Sequence, residues 1–154
     1  MPVSTAAPAF KRAMHDAAVT LWQISDPNVL VSFGHPGIAK PDDIVGFMDI
    51  RSEQEPATMG TNRGREESLE LDVLFSIYRG GGPEQEVVCS DRAYQLLGQF
   101  ENYVRTVDTT VGGTVRHCFL ASHTSDGATD PQVLSAGRFI EVTATFQARA
   151  RITT

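Results

Sequence analysis

The final stretch of the chain, Gly137 to Ile152, alternates strictly between two sets of side chains. A period of two predicts a β-strand with one apolar face. The apolar side consists of Ile140, Val142, Ala144, Phe146, Ala148, Ala150 and Ile152. At about 3.3 Å per residue this strand would extend for roughly 45 Å, whereas a typical strand has about 5 to 6 residues. A small monomer can hardly cover a strand of this length.

The other side of the same strand is mostly polar. One interpretation is an ordinary terminal strand with a solvated outer face, and the other is a face that meets a pore or a neighbouring subunit. We predict the second, an interface or lumen face formed by Thr143, Thr145, Gln147, Arg149 and Arg151.

Residues 68–78 show the same alternation and predict a second strong strand. The polar residues 52–67 precede it, contain Pro and Gly and show no apolar period, so they predict a long projecting loop. Loops of that length are usually functional or disordered. We therefore predict that this loop contacts a neighbouring subunit or a tube, through Glu53, Glu55, Met59, Asn62, Arg63 and Arg65.

Two helices are predicted. The first starts near Ser4 or Thr5 as cap, and its apolar positions recur at helical spacing: Phe10, Met14, Ala17 and Leu21. The second covers residues 83–107, with Pro83 in its opening turn, although residues 90–91 can alternatively cap a shorter helix.

Three further strands complete the predicted elements. They cover residues 29–35, residues 43–51 with Gly46 as a bulge, and residues 114–122, after which residues 123–132 form a polar loop. The order predicts a single domain spanning residues 1–154. Its fold class is α+β, a mostly antiparallel four- or five-stranded sheet with two helices on one face.

Composition limits the possible locations and partners. No run of about 18 apolar residues exists and the start lacks a basic region before an apolar stretch, which predicts neither a membrane span nor a secretory signal. The protein is therefore expected to be made in a cytoplasm, where Cys89 and Cys118 stay free thiols. A formal charge of -6 argues against a broad basic surface for gripping nucleic acid.

The sequence contains no convincing chemical motif. The glycines at 80–82 lack the spacing of a phosphate-binding loop, and the histidines share no ligand spacing. His117 and Cys118 point to opposite sides of a strand, so they cannot hold one metal ion. We predict no catalytic, cofactor-binding or metal-binding residues, and no cofactor.

The arrangement of elements resembles the tail terminator family of long-tailed (siphovirus) bacteriophages. The resemblance covers nearly the whole chain and depends on four segments: the helix FKRAMHDAAVTLW, the strand SLELDVLFSIYRGG, the helix RAYQLLGQFENYVR and the strand GRFIEVTATFQARARI. It is a likeness of order and texture, with no diagnostic short motif and no contact residue to transfer.

The resemblance implies a structural protein, not an enzyme, at the head-proximal end of a virion tail. Such proteins form a ring, typically a hexamer, that stops polymerisation of the tail tube and provides the surface for head joining. The implied partners are copies of the chain itself, the tail tube protein, a head-side connector or stopper, and double-stranded DNA that passes through the lumen without specific binding. The alternatives are another neck component or, less favoured, a small ligand-binding or catalytic α+β domain.

Overall fold

A computed structural model of the chain describes residues 4–35, 42–57, 64–127 and 131–153. The described helices are α1 (Ala7–Trp22), α2 (Gln85–Asn102) and the short α3 (Pro131–Ala136), and one π-helical turn, Tyr103–Val107, extends α2. The described strands are β1 (Val29–Phe33), β2 (Asp43–Pro56), β3 (Arg65–Gly80), β4 (His117–Gly127) and β5 (Gly137–Ile152).

The five strands form one sheet in the order β1-β2-β3-β5-β4. The β1–β2 pair is parallel, and the other three pairs are antiparallel. The sheet with its two long helices confirms the predicted α+β class. The pairing of β3 with β5 covers both strands from end to end, from Arg65 opposite Ile152 to Gly80 opposite Gly137.

Both long helices pack on the same face of this sheet. Phe100 of α2 contacts the rings of Trp22 on α1, Phe47 on β2 and Phe146 on β5, at centroid distances of 6.0, 5.6 and 5.4 Å. The indole Nε1–H of Trp22 also donates to Gln99 Oε1 at 2.8 Å, so its polar end is satisfied although the ring is buried. Phe75 is buried in the same cluster as Phe100 and Phe146.

The prediction of a loop over residues 52–67 is wrong for residues 52–56 and 65–67, which belong to strands. β2 continues to Pro56 and β3 begins at Arg65, and these two residues pair with each other in an antiparallel hairpin. The side chains of residues 51–57 are all exposed, so a polar sequence here reflects solvent on both faces of a strand rather than the absence of one. Glu53, Glu55 and Arg65 are therefore strand residues. The candidate contacts Met59, Asn62 and Arg63 lie outside the described residues.

The predicted boundaries of β4 are also wrong. The strand starts at His117 rather than residue 114, and it continues to Gly127 through residues that were predicted as a loop. Residues 121–127 are all exposed, so this part of the strand has no alternation of apolar and polar residues by which the sequence would show it. They extend as a strand because the long β5 offers a backbone partner at each position from Thr145 to Ile140. The short α3 follows where more loop was predicted.

The predicted bulge at Gly46 is wrong as well, because Gly46 pairs regularly with Leu74 and the irregularity lies between Phe47 and Ile50. A Cβ atom on Gly46 would lie 3.3 Å from the carbonyl oxygen of Gly34, so the glycine allows close approach of the chain that follows β1. The N-cap of α1 is Ala6 rather than Ser4 or Thr5. α2 starts near the predicted residue 83 and not at the alternative cap at residues 90–91.

Candidate subunit interface

The face of the sheet opposite the two long helices is mostly polar along β3 and β5, with Leu74 and Phe139 as apolar exceptions. We call it the open face. Its paired positions on β5 include every residue of the predicted interface or lumen face: Thr143, Thr145, Gln147, Arg149 and Arg151. Their neighbours on β3 are Leu74, Asp72, Glu70, Ser68 and Glu66, in the same order. The alternation predicted from sequence is confirmed, because the even-numbered residues of β5 from Val142 to Ile152 are buried on the other side.

The centre of the open face is held by a charged network. The guanidinium of Arg51 donates to both carboxylate oxygens of Asp72, at 2.9 and 3.1 Å, and to Glu70 at 3.2 Å. The hydroxyl of Thr145 donates to Asp72 at 2.9 Å. Hydrogen bonds from Arg51 lower the pKa of Asp72 below its usual range, burial opposes this, and the Thr145 hydroxyl adds to the lowering. Asp72 is thus an ionised centre that fixes three strands to one another.

Arg149 and Arg151 differ from Arg51. Within the described parts of the chain, neither guanidinium has a carboxylate oxygen within 4.0 Å. Glu66 lies directly across from Arg151, yet its carboxylate is bound by Arg116. These two cations are therefore free to contact a group supplied from outside the subunit.

The structure brings two residues of the predicted contact loop, Glu53 and Glu55, close to Arg149 and Arg151 at one end of the sheet. Glu55 lies beside Glu66, which lies beside Arg151, and Glu53 lies beside Ser68, which lies beside Arg149. Glu53 and Glu55 are exposed, and no ion pair within the described residues involves them. Arg65 is the exception, because it occupies the helix-side face opposite Ile152. This end of the open face is a mixed-charge patch.

The open face as a whole is acidic. Its described paired positions carry three arginines, Arg51, Arg149 and Arg151, against a larger set of acids. These acids are Glu53, Glu55, Glu66, Glu70, Asp72, Asp126 and Glu141. A surface of this sign repels a phosphate backbone.

Sequence reasoning missed Glu67, a fully buried carboxylate at the helix-side face of the hairpin. It accepts hydrogen bonds from the hydroxyls of Thr5 and Ser52, from the backbone N–H of Ala6 at 2.7 Å and from Gln54 at 3.2 Å. Burial raises the pKa of Glu67, but these donors outweigh it and hold the pKa below its usual range. The alternation of buried positions, continued from Leu71 and Leu69 back to residue 67, would have predicted that Glu67 points into the core.

A second buried acid, Asp43, joins three elements. It accepts from Arg79 at 2.6 Å and from Arg92 at 2.9 Å, and Arg92 also binds Asp26 in the turn after α1. Burial raises the pKa of Asp43, but the hydrogen bonds and charges of the two arginines outweigh this effect. The pKa of Asp43 is therefore lower than usual. Because both oxygens are occupied, Asp43 acts as a structural anion rather than an available base.

The thiols are also unsuited to chemistry. Cys89 and Cys118 are both free and buried. Burial raises the pKa of Cys118 to about 12, and burial likewise raises the pKa of Cys89. Both remain protonated thiols at neutral pH, and a thiol is a poor nucleophile. Among the described residues, no group of three His, Cys, Asp or Glu side chains is placed to hold a metal ion.

Comparisons with known proteins give a structural similarity but no match in sequence. No protein-family model matches the chain, and no curated protein matches it. A chain from the virion of a native gene transfer agent particle has a similar structure, with a TM-score of 0.44 and 9% sequence identity. The match covers 99% of this chain and 100% of that one. No helix in the part of the chain that the structure describes is long and apolar enough to cross a membrane.

Proposed function

We propose that this protein is a structural virion protein, a bacteriophage tail terminator. In this role copies of the chain form a ring, typically a hexamer, at the head-proximal end of the tail. The ring caps the tail tube, stops its polymerisation and presents the surface on which a head-side connector or stopper docks. The protein is not an enzyme and uses no cofactor, and it is assembled in the host cytoplasm.

The observation that carries the proposal is the open face. β3 and β5 pair over 16 residues each, and only one side of that pair is covered by the long helices. The other side is mostly polar and ends in two cations that have no carboxylate partner within the described residues. In a ring, a face of this length lies against a neighbouring subunit or lines the central channel.

The charge of the open face supports a channel for DNA. Seven acids face three arginines at its described paired positions. Double-stranded DNA carries about one negative charge per 1.7 Å of its axis, so an acidic lumen lets it pass without binding. The mixed-charge patch at the hairpin end, with Glu53, Glu55, Arg149 and Arg151, is then the contact for the tail tube.

The proposal is tested by adding the purified protein to polymerising tail tube protein and measuring tube lengths by electron microscopy. A terminator bound at one tube end stops growth and leaves tubes with a terminal ring. The matched control is Asp16→Lys, a charge reversal on the exposed side of α1, which leaves capping unchanged. Tubes that grow to the same length with and without the protein contradict the proposal. Binding to isolated heads but not to tubes would instead assign another neck component.

A further inference from the structure

The sheet has two edge strands, β1 and β4, at its opposite ends. The outer backbone groups of an edge strand are a template for another strand. The second half of β4 is unusual because residues 121–127 are exposed and bury no apolar side chain. Neither Lys nor Pro, which often block edges, occurs among them.

The register places the two edges at the same height on the sheet. Following the pairs across all five strands, Phe33 lies in the row of Phe47, Val73, Ala144 and His123. Val29 lies in the row of Asp43, Ile77, Ile140 and Gly127. The five residues of β1 and residues 123–127 of β4 therefore occupy the same five rows.

The strand directions also match. β1 is parallel to β2, and three antiparallel pairings separate β2 from β4, so β4 runs opposite to β1. Rotation about an axis along the strands keeps each direction. It therefore brings β4 of one copy beside β1 of the next as an antiparallel pair, in which the hydrogen bonds run perpendicular to the strands. Because β1 and β4 are different surfaces, the contact is heterologous, and since the two edges occupy the same rows it needs no shift along the axis, which is the condition for a closed ring rather than an open filament.

The side chains flanking the edges differ in shape in a complementary way. Beside β1, a groove of about 220 Å³ is lined by Val19, Trp22, Gln23, Pro27, Val29 and Val31. Beside β4, the exposed ring of Tyr94 on α2 stands against His123, 5.3 Å between centroids. Groove and ring both lie on the helix side of the sheet.

A partner with a strand edge and an aromatic side chain suits the β1 edge, and this chain itself carries both at its other edge.

We propose that residues 123–127 of one subunit form an antiparallel ladder with Val29–Phe33 of the next copy of the chain, so that the sheet continues around the ring. The inference rests on the proposed ring and identifies the surfaces that join its subunits. In the unshifted register, Leu30 faces Asp126 of the neighbour, and both side chains are exposed on the open face.

Disulfide crosslinking of Leu30→Cys with Asp126→Cys tests this contact. Within one subunit these positions are four strand spacings apart, roughly 19 Å, whereas a disulfide needs Cα atoms closer than about 7 Å. Any disulfide between them therefore joins two subunits. The natural cysteines, Cys89 and Cys118, are buried. Oxidation of the wild type measures any crosslinking that they cause by themselves.

Under mild oxidation of the assembled protein, the double variant gives a ladder of covalent oligomers on non-reducing gels that ends at the subunit number of the ring. Each single variant remains at most a dimer, and so does the control pair Thr20→Cys with Asp126→Cys, whose first position lies on the outer side of α1. Leu30→Cys with Thr124→Cys samples a register shifted by two residues, and a ladder from this pair also supports the edge contact.

The outcomes separate the two proposals. Light scattering that shows an oligomer, with neither cysteine pair forming a ladder, overturns the edge contact and leaves the ring intact. A monomer mass at high protein concentration, both with and without tail tubes, overturns the ring itself. Circular dichroism of each variant in the reduced form confirms that the substitutions leave the fold unchanged.

Discussion

The phenyl rings of Phe100 on α2 and Phe146 on β5 lie 5.4 Å apart between centroids, in an edge-to-face arrangement at 79°. This contact fixes α2 over the centre of the long strand, and it defines which face of β5 is core. The next residue, Gln147, lies on the open face. Substitutions at Phe146 and at Gln147 therefore distinguish effects on folding from effects on assembly.

Phe146→Ala is expected to lower the free energy of unfolding by about 3 to 5 kcal/mol, because it removes a fully buried aromatic side chain. Gln147→Ala should cost less than about 1 kcal/mol in the isolated subunit. Thermal melts check both values, since each kcal/mol shifts Tm by about 2 to 4 °C in a chain of this size. Equal destabilisation by the two substitutions would mean that the faces of β5 are assigned wrongly.

Glu67→Gln is expected to destabilise the subunit by about 1 to 3 kcal/mol at pH 7, because it weakens the hydrogen bonds that hold the start of α1 to the hairpin. The pKa of Glu67 is lowered by folding, so the stability from its ionised form is complete above the ordinary glutamate pKa of about 4.3. That stability is lost as the pH falls through the lower pKa of the folded state.

The difference in unfolding free energy between wild type and Glu67→Gln should therefore be largest at neutral pH and shrink below about pH 4. Urea unfolding from pH 3 to pH 7 measures it. Glu53→Gln, on the exposed side of the same hairpin, is the matched control and should show no such trend. A pH-independent difference for Glu67→Gln would argue that the buried carboxylate is not ionised.

Asp43→Asn is expected to lower the free energy of unfolding by about 2 to 4 kcal/mol, because it removes the charge shared by Arg79 and Arg92. Asp42→Asn, at the exposed neighbouring position, should cost less than about 0.5 kcal/mol. Urea unfolding at pH 7 compares the two. Similar small losses would show that the charge of Asp43 contributes little to joining β2 to α2.

Reversal of both acids on the hairpin, Glu53→Lys with Glu55→Lys, should leave Tm nearly unchanged because both side chains are exposed. Tube capping should be strongly reduced, since the mixed-charge patch loses its acidic half. Tube-length measurements with Asp16→Lys as control provide the check. Capping at wild-type levels would remove the patch from the proposed tube contact.

The strongly alternating strands were predictable because their burial is one-sided. Leu69 to Ile77 and Val142 to Ile152 show apolar residues at every second position, and the same residues are buried. The polar halves of β2 and β4 were not predictable in this way. Both faces of Glu53–Glu55 and of residues 121–127 meet solvent, so these strands are determined by backbone pairing with β3 and β5 rather than by their own side chains.

The open face was predictable in composition but not in arrangement. Its β5 residues follow from the period of two, whereas the rows that bring Glu55 near Arg151 depend on a register across three strands. The burial of Glu67 could not be predicted for a similar reason. Its inward position follows only when residue 67 is known to belong to the strand. Replacing residues 52–67 by a short turn, harmless for a loop, would therefore remove part of the sheet and the anchor of α1.

Electron microscopy of the purified protein mixed with tail tubes tests the central claim most directly. Negative-stain images should show closed rings, six-fold when viewed along the axis, both free at high protein concentration and at one end of each tube. Single small particles with no rings, and tube ends that look the same with and without the protein, would contradict the account.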